Sequence, residues 1–519
     1  MSAPTLRETE SLYPTIDRVL LMGSPVAGLL ILAALFDGVL QNVVMWHWND
    51  VRLARGVARW YGYGLYPGRD SNVPIIGTMH GPVPHLLYSC LAFLKDPTWL
   101  LMAGCALSCL LYFGAVLWLH LRGRAKVAGV YGFVACAALL LASPGARYAG
   151  LSVHVDALAT CFAVLAAGIL VRKEAVATRA LVASAVLAML SVASKQTMAP
   201  VAIALPCFVW MVDGRRAFAR YVAVQATASA AIFAAMLALF RPPRDVLFNT
   251  FTLAIQQPNR GSIVPRVIEG IFDVRRDLAA AAAPLLLVIA VCALTPGSFR
   301  QKIAKHRWLV FLWMAALQLP IELRAWSTKG GDVNHLSVVM LFVTLSTTIG
   351  LVSLWKPDTT GLLARALLVG MLLAHFPIAY GIDHDLRRVG TNATQVAFDY
   401  ERRYPGRTCF PFNPLATLLA EGRLTHFDDA LWDRELAGFP VNALQFSAGF
   451  PAGCTLVAFP ALEEPHSRMI RALIDDQPVA GEPGLKGWNV YRVKKRTTQS
   501  TSTSRPSSYR PGFHRSLLP

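Results

Sequence analysis

Apolar residues gather in long blocks near 19–40, 98–119, 127–143, 151–171, 179–194, 197–212, 220–240, 278–296, 307–323, 334–354 and 362–382. A hydrocarbon core of about 30 Å takes roughly 17–25 apolar residues per helix. The pattern therefore predicts a mostly α, polytopic membrane protein with about eleven transmembrane helices. The run from Val19 to Leu40 has no small-residue cleavage site after it and is expected as a retained first helix. The fifth and sixth blocks share a tight break at Ser194-Lys195-Gln196. A further apolar piece, Pro82 to Leu94, is too short to span, and either dips into the membrane or lies at its surface.

The short loops orient these spans. Arg122, Arg124 and Lys126; Arg172, Lys173 and Arg179; Arg215, Arg216 and Arg220; and Arg300, Lys302, Lys305 and Arg307 fall on one side when spans alternate. The excess of Lys and Arg in short cytoplasmic loops makes that side cytoplasmic. The first loop (41–97), the 241–277 loop, the Lys329 to His335 segment and everything after Gly381 then face outward.

The hydrophobic pattern changes after the last span. Thr408 to Pro411, Thr455 to Phe459 and Val490 to Val493 read as short strands, and Leu415 to Ala420 and Ser467 to Ile474 as helices. The chain thus divides into a transmembrane domain, 1–382, and a small outer α/β domain, 383–496. Residues 497–519 turn to Ser, Thr, Arg and Pro and are expected to be a disordered tail.

Composition agrees with this architecture. The 519 residues are 55% hydrophobic and the mean hydropathy is +0.45, which excludes a large soluble core. The formal charge of +18 suits anionic lipid surfaces and phosphorylated ligands. The basic residues are scattered among loops, so nucleic acid is not the expected partner. Seven of the nine cysteines lie in apolar blocks and read as small core residues. Cys409 and Cys454 lie in the outer region, where an oxidising compartment would allow them to pair.

The first loop carries the strongest candidate chemistry. Asn49 to Trp60 reads as a helix along the membrane surface, with Asn49 as its cap and Asp50 at its positive end. Leu53, Val57, Trp60 and Tyr61 fall on one face, and Arg52, Arg55 and Arg59 on another. Trp46, Trp48 and Tyr63 add interfacial aromatics. The competing reading is a surface anchor in which Asp50 is only a cap. Tyr63-Gly64-Leu65-Tyr66-Pro67 and His80-Gly81-Pro82-Val83-Pro84 then lead back to the membrane through turns.

This order of elements resembles the polyprenyl-phosphate-dependent glycosyltransferases of the GT-C fold, including the protein O-mannosyltransferase-like and aminoarabinose-transferase-like bacterial enzymes. Val153-His154-Val155-Asp156-Ala157-Leu158-Ala159 and Ser194-Lys195-Gln196-Thr197 are similar to the same group. The resemblance covers roughly residues 19–382. The family often has an Asp-Glu pair in the first loop, where this chain has Asn49-Asp50. No cofactor is implied with certainty, and a divalent metal stays open.

The resemblance implies transfer of a monosaccharide from a polyprenyl phosphate to a lipid, glycan or protein acceptor, at the outer face of a bacterial inner membrane. An acceptor hydroxyl needs a positioned carboxylate to take its proton, and Asp50 is the candidate base. The departing phosphate needs fixed donors; Arg52, Arg55, Arg147, Lys195, Gln196 and Lys329 are the candidates. His80, His154, Asp156, Asn334 and His335 are candidate substrate contacts. Each has a bland alternative: Arg147 as a snorkelling loop residue, Asp156 as a complement to a helix dipole, Lys195-Gln196 as a surface hairpin, and Lys329 to His335 as a connector. The stretch around Phe412-Asn413-Pro414 and His426-Phe427-Asp428-Asp429 reads as a lid or acceptor-binding surface. A transporter or flippase of lipid-linked sugars is the rival reading, yet such proteins commonly carry internal repeats and none is evident here. A non-catalytic subunit of envelope-polysaccharide assembly is a third.

Overall fold

The computed structural model describes residues 6–494 except 46–47, 123–125, 172–176, 241, 332–335, 381–391, 452, 462 and 480. The first half of the chain runs through α1 (Leu6–Met45), α2 (Trp48–Val57), α3 (Pro82–Ser89), α4 (Pro97–Leu121), α5 (Lys126–Ala142), α6 (Pro144–Leu151), α7 (Val155–Val171), α8 (Thr178–Ser194), α9 (Ala199–Asp213) and α10 (Arg215–Leu239). It continues with α11 (Pro243–Leu247), α12 (Leu253–Ile255), α13 (Ile263–Leu294), α14 (Phe299–Lys305), α15 (Leu309–Trp326), α16 (Ser337–Ser353) and α17 (Thr359–Tyr380). The C-terminal part mixes α18 (Ala393–Arg403), β1 (Thr408–Cys409), α19 (Pro414–Glu421), α20 (Asp428–Leu436), α21 (Ala443–Gly449), β2 (Leu456–Pro460), α22 (Arg468–Leu473) and β3 (Trp488–Arg492).

Among the described residues, each of the eleven apolar blocks centres on one helix. Among the described residues, seven helices are long and apolar enough to cross a membrane, or eight if α5 and α6, bent by 104°, form one span. α7, α8 and α16 are shorter apolar helices of the same bundle. The outer faces of α1 and α10 leave Met22, Leu29, Phe36 and Leu239 exposed, as expected of a surface solvated by lipid rather than water. Inside, small residues let helices approach: a Cβ on Gly168 would lie 2.6 Å from a Trp118 ring atom. The chain is an integral membrane protein with a helical bundle and a small C-terminal α/β unit.

The sheet has the order β1-β2-β3. β1 pairs parallel with β2 (Thr408 opposite Leu456) and β2 antiparallel with β3 (Leu456 opposite Arg492). Cys409 and Cys454 are bonded beside it, with Cα atoms 5.9 Å apart. The tail, 497–519, lies outside the described residues.

The first loop and the C-terminal unit pack as one body. Val51 and Leu53 of α2 share a continuous buried cluster with Phe412, Leu415, Phe427 and Ala430. The wholly buried guanidinium of Arg434 donates to the carbonyls of Pro67 (3.0 Å), Gly68 (3.0 Å) and Arg69 (3.1 Å). Phe427 N–H donates to Ile75 O at 3.0 Å, and Ile75 N–H to His426 Nδ1 at 2.9 Å. Gly77, at φ 45°, lies where a Cβ would come within 2.5 Å of Ala430 Cβ. The loop is thus threaded onto α20, which decides which outer residues reach the membrane face.

Candidate functional site

The helix ends that the alternation of spans assigns to one side do meet. Asn49, at the start of α2, accepts from Val153 N–H at 2.8 Å and donates to Asn42 O at 2.7 Å, fixing the entry to α7 against the first loop. Three residues after Val153, Asp156 lies wholly buried in the first turn of α7. Lys195 Nζ sits 2.6 Å from Asp156 Oδ1, and His154 Nδ1 is 3.2 Å from Oδ2. Charges this deep persist only when paired. The approach of α3 to the end of α8 is equally tight: a Cβ on Gly81 would lie 1.7 Å from Ala193 O, so only glycine fits. Gln196 uses its amide to tie Met79 O and Thr250 O together.

Above this buried pair lies a cavity of about 650 Å³. Arg52, His80, His154, Lys195, Gln196 and Lys329 all line it. Arg52 lies 5.1 Å over the Tyr148 ring and donates to Tyr148 Oη (2.7 Å) and Val153 O (3.1 Å). Burial, with the charge of Lys195 adding to it, holds the His80 imidazole well below its usual pKa.

Its rim is made by two strands of loop. Lys329 N–H donates to Pro258 O at 2.9 Å and Arg260 N–H to Ser327 O at 2.8 Å, so 258–260 and 327–329 run side by side. This pairing brings the exposed cations Arg260, Arg324 and Lys329 to one edge of the cavity. Ile255 and Ile321 line the same cavity and are 75% and 39% exposed, giving it an apolar flank.

The opposite wall comes from the outer unit. Asp429, Trp432 and Asp433, one face of α20, line the cavity together with His466. Asp429 Oδ2 pairs with Arg55, while its buried Oδ1 meets no side-chain donor among the described residues. Burial raises the Asp429 carboxyl, and Arg55 opposes the rise. Asp433 is pushed up to about 7, by burial first and then by the negative charge of Asp429. His466 Nδ1 faces the wholly buried Asp428 at 3.4 Å, which raises its pKa. Its ring stands 5.4 Å from Trp432 and 5.3 Å from Phe412. Gln257 Nε2 donates to Asp433 O at 3.1 Å, linking rim to wall.

The remaining candidates among the described residues do not line the cavity. Asp50 is 1% exposed and points away into the outer unit. Its Oδ1 accepts from Leu415 N–H at 2.8 Å, at the start of α19, and its Oδ2 faces Asn413 Nδ2 at 3.4 Å. Burial pushes it up to about 7 against those donors. In this arrangement it caps a helix from a distant part of the chain. Arg55 is occupied with Ile76 O (3.0 Å) and Asp429, so it shapes the wall instead of lining it. Arg147 sits half-buried on α6 outside the cavity lining. Asp156 lies beneath the floor, behind Lys195. Asn334 and His335 lie outside the described residues. Among the described residues, no group of three His, Cys, Asp or Glu is arranged to hold a metal ion.

Sequence reasoning missed Arg260, Arg324, Trp432, Asp433 and His466. Asp429 and Asp433 are four apart, one helical turn, and that spacing was the available signal.

No protein-family model matches the chain, and no curated protein matches it. Among solved structures, the chain is similar to ArnT from Cupriavidus metallidurans, both in the apo state and bound to undecaprenyl phosphate. Identity is 13% and the TM-score 0.55, over 90% of this chain and 97% of that one. The apo oligosaccharyltransferase of Archaeoglobus fulgidus matches at 11% identity and a TM-score of 0.49, over 84% of this chain and 69% of the other. At such identities the likeness to ArnT is one of fold, and it meets the expectation of a GT-C-like bundle carrying a small α/β unit.

Proposed function

We propose that this protein is a membrane glycosyltransferase that moves a monosaccharide from a polyprenyl phosphate to a lipid, glycan or protein acceptor, with its cavity on the extracytoplasmic face of a bacterial inner membrane. The observation that carries the reading is the rim. Arg260, Arg324 and Lys329, from two stretches about seventy residues apart, are held at one edge by backbone pairing, next to an apolar flank at Ile255 and Ile321. Cations beside exposed apolar surface suit a phosphate that carries a hydrocarbon chain. A protein of the same fold with undecaprenyl phosphate bound supports the same ligand class.

In the reaction, an acceptor oxygen forms a bond to the anomeric carbon as the bond from that carbon to the phosphate oxygen breaks. The acceptor proton goes to a carboxylate, and the electron pair leaves on the polyprenyl phosphate, whose growing charge meets the rim cations. Asp433 is the carboxylate placed for this: it lines the cavity, no side-chain hydrogen bond engages it among those described, and its pKa near 7 suits a base. Asp50 serves the reaction from outside the cavity, by seating the outer unit that carries Asp433.

The experiment incubates the purified full chain with labelled polyprenyl-phosphate sugars and envelope extract, and follows free polyprenyl phosphate. Release that depends on the acceptor extract supports a transferase. A protein that carries the donor across vesicles without releasing polyprenyl phosphate is a flippase, and the proposal falls.

A further inference from the structure

We propose that the α20 wall is the donor's sugar subsite, and that it accepts a neutral sugar while rejecting one that bears a carboxylate. This deepens the glycosyltransferase reading, on which it rests, by naming the wall that holds the sugar and the class of sugar it admits.

The cavity is electrically divided. Among the described lining residues, the cations Arg52, Lys195, Arg260, Arg324 and Lys329 come from the bundle and its connecting loops, whereas the acids Asp429 and Asp433 come from α20. A phosphate settles on the first side. The sugar, joined to that phosphate through its anomeric carbon, must extend toward the second. A volume of about 650 Å³ holds one sugar phosphate with an acceptor hydroxyl beside it.

The wall offers what a sugar ring needs. Asp429 lines the cavity and is 6% exposed; its Oδ1 is a buried acceptor that, among the described residues, meets no side-chain donor. Buried acceptors are ordinarily satisfied, and a sugar hydroxyl is a donor of the right size. The other oxygen, Oδ2, is fixed by Arg55, which aims the free one. Trp432, one turn along the same face, presents a partly exposed ring braced by His466, a flat apolar surface beside polar groups. Positions 429, 432 and 433 follow the spacing that puts side chains on one helical face.

The same wall sets the exclusion. A uronic sugar would bring its carboxylate against Asp429 and Asp433, and like charges across such a surface are disfavoured. A neutral hexose or pentose meets no such penalty.

The test measures binding to the full chain in nanodiscs of three probes: short-chain polyprenyl phosphate, the same lipid carrying a neutral hexose, and the lipid carrying a hexuronic acid. Wild type should bind the hexose form at least about tenfold more tightly than the hexuronate. Trp432→Ala should weaken the hexose form by about tenfold and leave the bare lipid within about twofold, and Trp432→Phe should restore most of the loss. Asp429→Asn should narrow the gap between hexose and hexuronate. Equal loss of hexose lipid and bare lipid in Trp432→Ala, or a preference for hexuronate, would overturn the subsite. Wild type that binds bare lipid without telling the sugars apart sinks this proposal alone. Wild type that binds no polyprenyl phosphate sinks the functional reading with it.

Discussion

The proton acceptor is the most exposed point of the mechanism, and pH reads it directly. Asp433 must be ionised to take a proton, and its pKa is pushed up to about 7 by burial and by the charge of Asp429. Transfer should therefore rise with pH: at pH 6 about one tenth of the groups are ionised, at pH 7 about half and at pH 8 about nine tenths. Two variants make the assignment specific. Asp433→Asn should lose this limb and about 10²- to 10⁴-fold of the rate, the usual scale for a missing general base. Asp429→Asn removes the like charge one turn away, so the midpoint should move to lower pH. Asp50, also near 7 through burial, is the necessary control, because Asp50→Asn should keep the limb where wild type has it. The assay is kcat/KM for polyprenyl phosphate release under saturating acceptor, from pH 5.5 to 8.5, with folding checked at each end. A limb that survives Asp433→Asn and vanishes in Asp50→Asn would refute the reasoning and return the base to the first loop.

Other consequences are simpler to check. Lys329→Ala and Arg324→Ala should each weaken polyprenyl phosphate binding by roughly 10- to 100-fold, the worth of one charge-assisted hydrogen bond, with melting temperature unchanged because both side chains are exposed. Lys195→Met strands Asp156 without its cation and should cost about 3–5 kcal/mol in thermal or denaturant unfolding, most of it recovered when Asp156→Leu is added. Gly81→Ala drives a methyl into Ala193 O and should abolish monodisperse elution in size-exclusion chromatography, whereas Gly64→Ala, with nothing within 4 Å, should elute normally. The folded pKa of Asp50, about 7, stands above its ordinary 3.8, so the stability it contributes is complete below that lower value and is lost as pH rises through 7. Up to about 4 kcal/mol is at stake at roughly 1.4 kcal/mol per unit, and Asp50→Asn should flatten the fall in melting temperature between pH 5 and pH 8.

Span content was the most legible layer, because a lipid core sets a length that apolar blocks must meet whatever they pack against. The bend between α5 and α6 and the 17-residue α7, α8 and α16 show where block length stops deciding how a helix crosses. The three strands were legible from the sequence pattern, with β2 starting one residue later and β3 two residues earlier than expected. The helices α18, α20 and α21 were not read, since each is short and polar enough to pass for loop. Lys195 and His154 were found because an ionisable group at a span end is costly enough to stand out. Arg260 and Arg324 were lost among many basic residues flanking spans, and only the pairing of 258–260 with 327–329 distinguishes them.

Asp50 and Asp433 mark the deeper reason for the difference. A carboxylate at the first helical turn beyond a span is conspicuous in sequence, but what it does depends on which N–H reaches it. Here that N–H belongs to Leu415, 365 positions away. By capping α19, Asp50 draws the outer unit onto α2, and Arg55 repeats the attachment through Asp429. The acids of α20 then arrive at the cavity as a consequence of the first loop's own polar residues being satisfied. On the proposed mechanism, the outer unit is therefore part of the catalytic wall. A change at Asp50 that breaks its bond to Leu415 should lower transfer by displacing Asp433, raising KM for the sugar-loaded donor along with the loss of kcat. A lost base would lower kcat alone.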